Sequence, residues 1–115
     1  MAAPIVFFDI AGPDLAAQRD FYAKVFDWTS TPDGRVTVPV VAPLMGTFRA
    51  DPAEKMLYLG VADVTASLAK VVEHGGAVEA PRFEVPGVVV LGLFRDPAGN
   101  RMGLVELDGD QPRIP

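Results

Sequence analysis

Short runs of β-type hydrophobic residues alternate along this chain with two stretches in which hydrophobic residues recur at helical spacing. The first run, residues 4–10, is β-branched and aromatic and predicts a strand with Phe7 and Asp9 on one face. A helix is predicted next, because Asp14 is a favoured N-cap residue and apolar residues follow every three or four positions. These apolar residues are Leu15, Phe21, Tyr22, Val25 and Phe26. The apolar face of such a helix must pack against a sheet.

Proline and glycine divide the stretch after this helix. Residues 36–49 carry Pro39, Pro43 and Gly46 among β-branched residues, and proline is tolerated only at the edges or ends of strands. We therefore predict two short strands here, followed by a polar linker that reaches residue 55.

The second half of the chain repeats this order. A strand is predicted at residues 56–61, followed by a helix that begins after the N-cap residue Asp63 and ends at His74, beside two glycines. Three more strands are predicted at residues 77–85, 87–95 and 101–107. The last two are joined by the hairpin turn DPAGN, in which proline and glycine favour the turn conformation. Residues 109–115 are predicted to be an unstructured tail.

A shift of 49 residues aligns the two halves, so that Asp14 meets Asp63, although few residues are identical. We therefore predict one α+β domain of residues 1–115, built from two βαβββ modules at approximately residues 1–52 and 53–108. Its curved, mixed, eight-stranded sheet would carry two helices on the convex face. The concave face would form a cavity for a ligand.

Composition excludes several classes of function. The ten Lys and Arg residues are scattered and the net charge is −5, which disfavours a nucleic-acid partner. The absence of cysteine excludes disulfides, thiolate metal sites and cysteine nucleophiles. No apolar stretch is long enough to span a membrane, and no signal peptide is recognisable. The sequence predicts a cytoplasmic protein with no membrane partner.

The order of elements, together with four local patterns, resembles the vicinal oxygen chelate superfamily of glyoxalases, bleomycin-resistance proteins and extradiol dioxygenases. The patterns are Asp14 seven residues before Phe21-Tyr22, ADV before the second helix, GG after it, and DPAGN before the last strand. The resemblance covers nearly the whole chain and implies a homodimer, swapped or side by side. It leaves the activity open, because this scaffold hosts lyases, isomerases, dioxygenases, transferases and binding proteins.

The resemblance also places the positions that hold a metal ion in relatives that use one. They fall on Phe7, Met56 and Gly103, with a fourth near residues 45–48, and none supplies an imidazole nitrogen or carboxylate oxygen. The sequence therefore predicts no metal and no other cofactor. Glu106 lies three residues beyond Gly103, and this odd offset along a strand predicts that it faces away from the cavity.

Two kinds of side chain remain as candidates for the cavity. Asp9 is the candidate general acid or base, with an ion pair to an arginine such as Arg101 as the structural alternative. The predicted ligand-binding positions are Phe7, Trp28, Phe48, Met56, Tyr58 and Gly103. Ordinary packing in the core or at a dimer interface is the alternative for these residues.

Four other polar residues fit a structural role better than a functional one. His74 is expected to cap the second helix. Arg49, Arg95 and Arg101 lie at strand ends, where they could meet an anionic substrate group, but a solvated rim is the more common role for such arginines.

These observations favour a metal-free protein that binds a small hydrophobic or aromatic molecule in the cavity. One alternative is a metal-independent lyase or isomerase that uses Asp9 as acid or base and Tyr58 as polariser. A metal-dependent lyase or dioxygenase is disfavoured by the residues at the ligand positions, and a purely structural dimer remains open. The sequence favours binding over catalysis and does not identify the ligand.

Overall fold

Two helices pack on one face of a mixed, five-stranded sheet in the computed structural model, which describes residues 1–115. The elements are α1 (Leu15–Phe26), β1 (Tyr58–Val61), α2 (Val64–Glu73), β2 (Ala77–Val85), β3 (Val89–Arg95), β4 (Arg101–Asp108) and β5 (Gln111–Pro112). The predicted α+β class is confirmed. Neither helix has the length and hydrophobicity needed to cross a membrane.

The second half of the chain forms a complete βαβββ unit. Its strands lie in the order β1-β4-β3-β2, with β1 parallel to β4 and the other neighbours antiparallel. The register places Tyr58 opposite Gly103, and Gly103 opposite Leu93 on the other side. Tyr58 of β1 and Leu93 of β3 therefore lie on either side of Gly103 in the central strand β4.

Both helices begin at the predicted caps. The Asp14 carboxylate accepts a hydrogen bond from the backbone N–H of Ala17 at 3.0 Å, and Asp63 accepts one from Ala66 at 2.9 Å. These bonds satisfy N–H groups that have no partner within the first turn of a helix. His74 is the C-cap of α2, as predicted, and Gly75 follows with a φ of 96°.

The hydrophobic core lies between the helices and one face of the sheet. Its buried residues are Phe21, Tyr22, Leu59, Val64, Leu68, Val71, Phe94, Met102 and Leu104. Helix α2 approaches β3 very closely, since a Cβ at Gly92 would lie 2.5 Å from Cγ1 of Val64. A larger residue at this position would push the helix off the sheet.

The first half of the chain contributes one helix and no strand of the sheet. The predicted strands at residues 4–10 and 36–49 have no regular secondary structure, and the one bridge in the first half pairs Ser30 with Val36. Local propensity favours extended backbone there, but a strand also needs a neighbour for its hydrogen bonds, and these segments pair with none of the five strands. The sheet of this chain therefore has five strands rather than eight.

The C-terminal tail is ordered, in contrast to the prediction. After a turn at Gly109, β5 pairs with the end of β4, and the N–H of Arg113 donates to the carbonyl of Glu106 at 2.9 Å. The Arg113 guanidinium also lies 3.2 Å from the Glu106 carboxylate. The sequence did not reveal this attachment, because its partner lies on another strand.

Candidate functional site

The face of the sheet opposite the helices is partly open to solvent. Along β3 and β4 the residues that face the helices are buried, and most of those on the other face are half-buried; Gly103, on that other face, is buried beneath Tyr58. The apolar residues of this other face, together with their neighbour on β1, form what we call the open face. It consists of Tyr58, Leu91, Leu93, Gly103 and Val105. Period-two alternation therefore gives the sheet a second, largely apolar surface that no element of this chain covers.

Tyr58 and Gly103 form a matched pair on this open face. A Cβ at position 103 would lie 2.3 Å from Cδ1 of Tyr58, so the tyrosine ring occupies the space that a side chain would need. Half of the Tyr58 residue is nevertheless exposed, at 50%. The ring thus presents a flat apolar surface with a hydroxyl group to whatever lies over the sheet.

A cluster of alternating charges borders the open face at one end; we call it the charged end. Arg95 and Arg101 are direct neighbours across β3 and β4. Glu79 accepts from both arginines, at 2.8 Å from Nη2 of Arg95 and also from Nε of Arg101. Glu54 bridges Nη1 of Arg101, at 2.7 Å, and the guanidinium of Arg49. The three arginines considered in the sequence analysis therefore come together in one network.

The ion pairs of the charged end shift the pKa values of its members. Hydrogen bonds from Arg49 and Arg101 hold the pKa of Glu54 below its usual value, and a hydrogen bond from Arg101 does the same for Glu79. Bonds to Glu79 and Glu54 raise the pKa of Arg101. Both carboxylates are therefore ionised at neutral pH, as counter-charges rather than as proton carriers.

Three of the six predicted ligand-binding residues meet at this place. Tyr58 and Gly103 belong to the open face, and Sδ of Met56 accepts a hydrogen bond from Arg101 at 3.7 Å. Trp28 lies elsewhere, stacked on Tyr22 beside the helical core with ring centroids 5.4 Å apart. The period of two along a strand places Tyr58 on this surface, whereas Met56 precedes β1, which begins two residues later than predicted.

The other predicted residues lie on segments without sheet neighbours. Phe7 and Phe48 are exposed, at 73% and 106% of their reference areas. Asp9 is also exposed and forms no ion pair, since Arg101 is paired with Glu79 and Glu54 instead. None of these three side chains reaches the open face within one chain.

The residues at the superfamily's metal positions do not fit a divalent ion. Gly103 has no side chain and is covered by Tyr58, while Met56 offers only a thioether to Arg101. No three His, Cys, Asp or Glu side chains converge anywhere in the chain. The nearest carboxylates, Glu54 and Glu79, are already engaged by arginines. Within one chain, the side chains around Gly103 and Met56 therefore do not fit a divalent ion.

Glu106 lies on the helix side of the sheet, as strand parity predicted. It is 6% exposed and accepts from the backbone N–H of Val64, at 3.1 Å, and from Nε and Nη2 of Arg82, both at 2.9 Å. The bonds from Arg82 lower its pKa from 4.5 to about 2. Glu106 therefore ties β4 to the start of α2, and Arg113 ties the tail to the same carboxylate.

Asp96, the first residue of the DPAGN turn, is a buried carboxylate that the sequence analysis did not single out. Its oxygens accept from Nε2 of Gln18, Oη of Tyr22 and Nδ2 of Asn100, all at 2.9 Å. They also accept from the N–H groups of Ala98 and Asn100. Burial and the neighbouring Asp96 raise the pKa of Tyr22 well above its usual range. The DPAGN motif in the sequence identifies Asp96 as a turn residue, but it does not predict that Asp96 binds residues of α1.

A cavity of about 330 Å³ lies on the outer side of α1. Four of its six lining residues are polar, and its Arg19 already donates to the hydroxyl and carbonyl of Ser30 at 2.9 and 3.0 Å. The two apolar lining residues are alanines, whereas larger apolar side chains form the open face, which is therefore the stronger candidate for a hydrophobic ligand.

A protein-family comparison matches residues 5–105 to a family described as a glyoxalase-like domain. Among curated proteins, the chain is 28% identical to the anthracycline biosynthesis protein DnrV of Streptomyces peucetius, over 81% of this chain and 43% of DnrV. It is 26% identical to the putative glyoxylase CFP32 of Mycobacterium tuberculosis, over 84% of this chain and 42% of that protein. The chain thus spans less than half the length of these relatives.

Solved structures support the fold. A glyoxalase-related enzyme from Fulvimarina pelagi aligns with a TM-score of 0.60 at 19% identity, over 92% of both chains. A member of the glyoxalase/bleomycin resistance protein/dioxygenase superfamily from Sphaerobacter thermophilus aligns at 0.58 with 23% identity, over 93% of this chain and 98% of that one. At these identities the likeness concerns the fold alone.

Proposed function

Because this chain belongs to the glyoxalase-like domain family, we propose that it binds a small hydrophobic or aromatic molecule on the open face without a metal ion. The observation that carries the proposal is the pairing of Tyr58 with Gly103, which puts an aromatic surface at the position where the superfamily resemblance predicts a metal ligand. Leu91, Leu93 and Val105 extend this surface with apolar side chains. Burying the apolar surface of a flat molecule against these side chains would be favourable.

The ligand we propose is flat as well as apolar. A half-exposed tyrosine ring can stack against another aromatic system, and its hydroxyl can donate to a polar group on the same molecule. The name of DnrV places that relative in anthracycline biosynthesis. No unpaired carboxylate or imidazole lies among the residues of the open face, which favours binding over turnover.

The proposal includes a homodimer in which the first half of each chain completes the cavity. Residues 5–7 and 40–48 expose a series of large apolar side chains, namely Ile5, Val6, Phe7, Val40, Val41, Leu44, Met45 and Phe48. So much exposed apolar area is unusual on a monomeric protein. Pairing with a second copy would give these segments the neighbours they lack and extend the sheet toward eight strands. Phe7 and Phe48 would then reach a ligand only in the dimer.

Native mass spectrometry of the freshly purified protein tests the metal-free dimer. We expect a dimeric mass with no stoichiometric divalent ion, because the chain lacks a converging ligand set. One tightly bound divalent ion per chain would refute the metal-free proposal. A monomer at micromolar concentration would refute the dimer and leave Phe7 and Phe48 without a role.

Replacing Leu93 with glutamine should weaken binding of the neutral fluorescent probe N-phenyl-1-naphthylamine about tenfold. The polar amide would lie on the apolar floor, and a tenfold loss corresponds to about 1.4 kcal/mol. Fluorescence titration measures the affinity. Val72→Gln is the matched control, because Val72 is an exposed apolar residue of α2, on the other side of the sheet.

Equal effects of the two substitutions would show that the probe binds elsewhere. Asp9→Asn should leave probe affinity unchanged. If a substrate is found whose turnover this variant abolishes, the protein is instead a metal-independent lyase or isomerase.

A further inference from the structure

We propose that the charged end of the open face selects aromatic ligands that carry an anionic group such as a carboxylate or sulfonate. Arg101 and Arg95 would bind this group after the ligand displaces Glu54 from Arg101. The inference rests on the proposed function, since the aromatic part of the same ligand would lie on the open face.

The register of β3 and β4 puts the arginines next to the apolar floor. Arg95 and Arg101 are cross-strand partners, and Leu93 and Gly103 form the next pair on the same face. Residues two apart along a strand are separated by about 7 Å. A molecule with an anionic group at one end of a fused ring system would therefore cover both pairs at once. The arginines project from strands, which hold their backbone positions rigidly.

The unpaired hydrogen-bond donors of the charged end favour binding of an anion over a cation. Each of the four carboxylate oxygens of Glu54 and Glu79 already accepts from an arginine. The guanidinium groups retain free donors: Nη2 of Arg101 and Nε of Arg95 donate to no protein atom. A cation would have to compete with these arginines for the carboxylates, whereas an anion finds unused N–H groups.

Glu54 is the counter-ion that can move. It belongs to the linker before β1, which has no regular secondary structure, whereas Glu79 is part of β2. Displacing Glu54 exchanges one charge-assisted hydrogen bond to Arg101 for another, so the exchange costs little. Arg49, which also binds Glu54 and Asp51, can keep the displaced carboxylate nearby. Glu54 would thus act as an internal competitor that lowers affinity for anionic ligands.

Two fluorescent probes with the same ring framework test the inference. They are 8-anilinonaphthalene-1-sulfonate, which is anionic, and N-phenyl-1-naphthylamine, which lacks the sulfonate. We expect Arg101→Gln to weaken binding of the anionic probe at least tenfold and to change binding of the neutral probe less than twofold. Glu54→Gln should strengthen binding of the anionic probe several-fold, because it removes the competitor. Arg35→Gln is the matched control for loss of one exposed positive charge.

The outcomes separate this inference from the proposed function. If Arg101→Gln and Arg35→Gln weaken the anionic probe equally, or if Glu54→Gln does not strengthen it, the inference is overturned while neutral binding stands. If neither probe binds the wild-type protein, the proposed function itself fails. Partial unfolding would expose apolar surface and increase binding of both probes, whereas removal of the competitor should strengthen binding of the anionic probe alone.

Discussion

Replacing Asp96 with alanine is expected to lower the free energy of unfolding by about 3 to 5 kcal/mol. The substitution removes the acceptor of Gln18 and Tyr22, two buried residues of α1, and leaves both donors unsatisfied. Each unsatisfied buried donor costs about 1 to 3 kcal/mol. Urea unfolding followed by far-ultraviolet circular dichroism measures the change.

Two further variants locate the cause of this loss. Asp20→Ala is the control, because Asp20 is exposed and pairs only with Lys24 at 3.1 Å, so it should cost less than about 0.5 kcal/mol. Tyr22→Phe should cost about 1 kcal/mol in the wild-type protein and much less when Asp96 is already alanine. Equal costs in the two backgrounds would show that the hydroxyl does not act through Asp96.

Replacing Glu106 with glutamine is expected to lower the free energy of unfolding by about 2 to 4 kcal/mol at pH 7. The carboxylate accepts two hydrogen bonds from Arg82 and one from the first turn of α2, and it pairs with Arg113 of the tail. A neutral amide cannot replace these ion pairs, although Arg82 remains partly hydrated because a third of its side chain is exposed. Glu73→Gln, on the exposed surface of α2, should have almost no effect.

The effect of the Glu106 substitution should depend on pH in a defined direction. The folded protein lowers the pKa of Glu106 from 4.5 to about 2, so the unfolded chain takes up a proton first. The stabilisation, on the order of 2 kcal/mol after allowance for solvent, is complete above about pH 5.5 and disappears as the pH falls toward 2. The difference between wild type and Glu106→Gln should therefore shrink from pH 7 to pH 2. A constant difference would mean that Glu106 acts through its shape rather than its charge.

Much of the second half of the chain could be predicted from its sequence. The cap residue Asp63, the helix end at His74 and the DPAGN turn act within a few residues of themselves, so their meaning is local. The side of the sheet that Glu106 occupies followed from the period of two along a strand, which needs no knowledge of the neighbours. The same parity placed Tyr58 and Gly103 on one surface.

The structure of the first half of the chain could not be predicted from local patterns of residues. Residues 4–10 and 36–49 have the composition of strands, yet within one chain they pair with no strand of the sheet. Their exposed residues, including Phe7 and Phe48, therefore belong to segments that favour strand structure but have no pairing partner within one chain. A second copy of the chain is the partner we propose for them.

By itself, the sequence determined the fold class, both helices with their caps and the βαβββ order of the second half. These features depend on residue type and on spacings of two to seven positions. Only the tertiary structure decided the partners of Asp96 on α1, which are 74 and 78 residues away, and the network in which Arg101 meets Glu79 and Glu54 across 22 and 47 residues. The physical reason is that a hydrogen bond between distant residues depends on how whole elements pack, and no local pattern of residues records that packing.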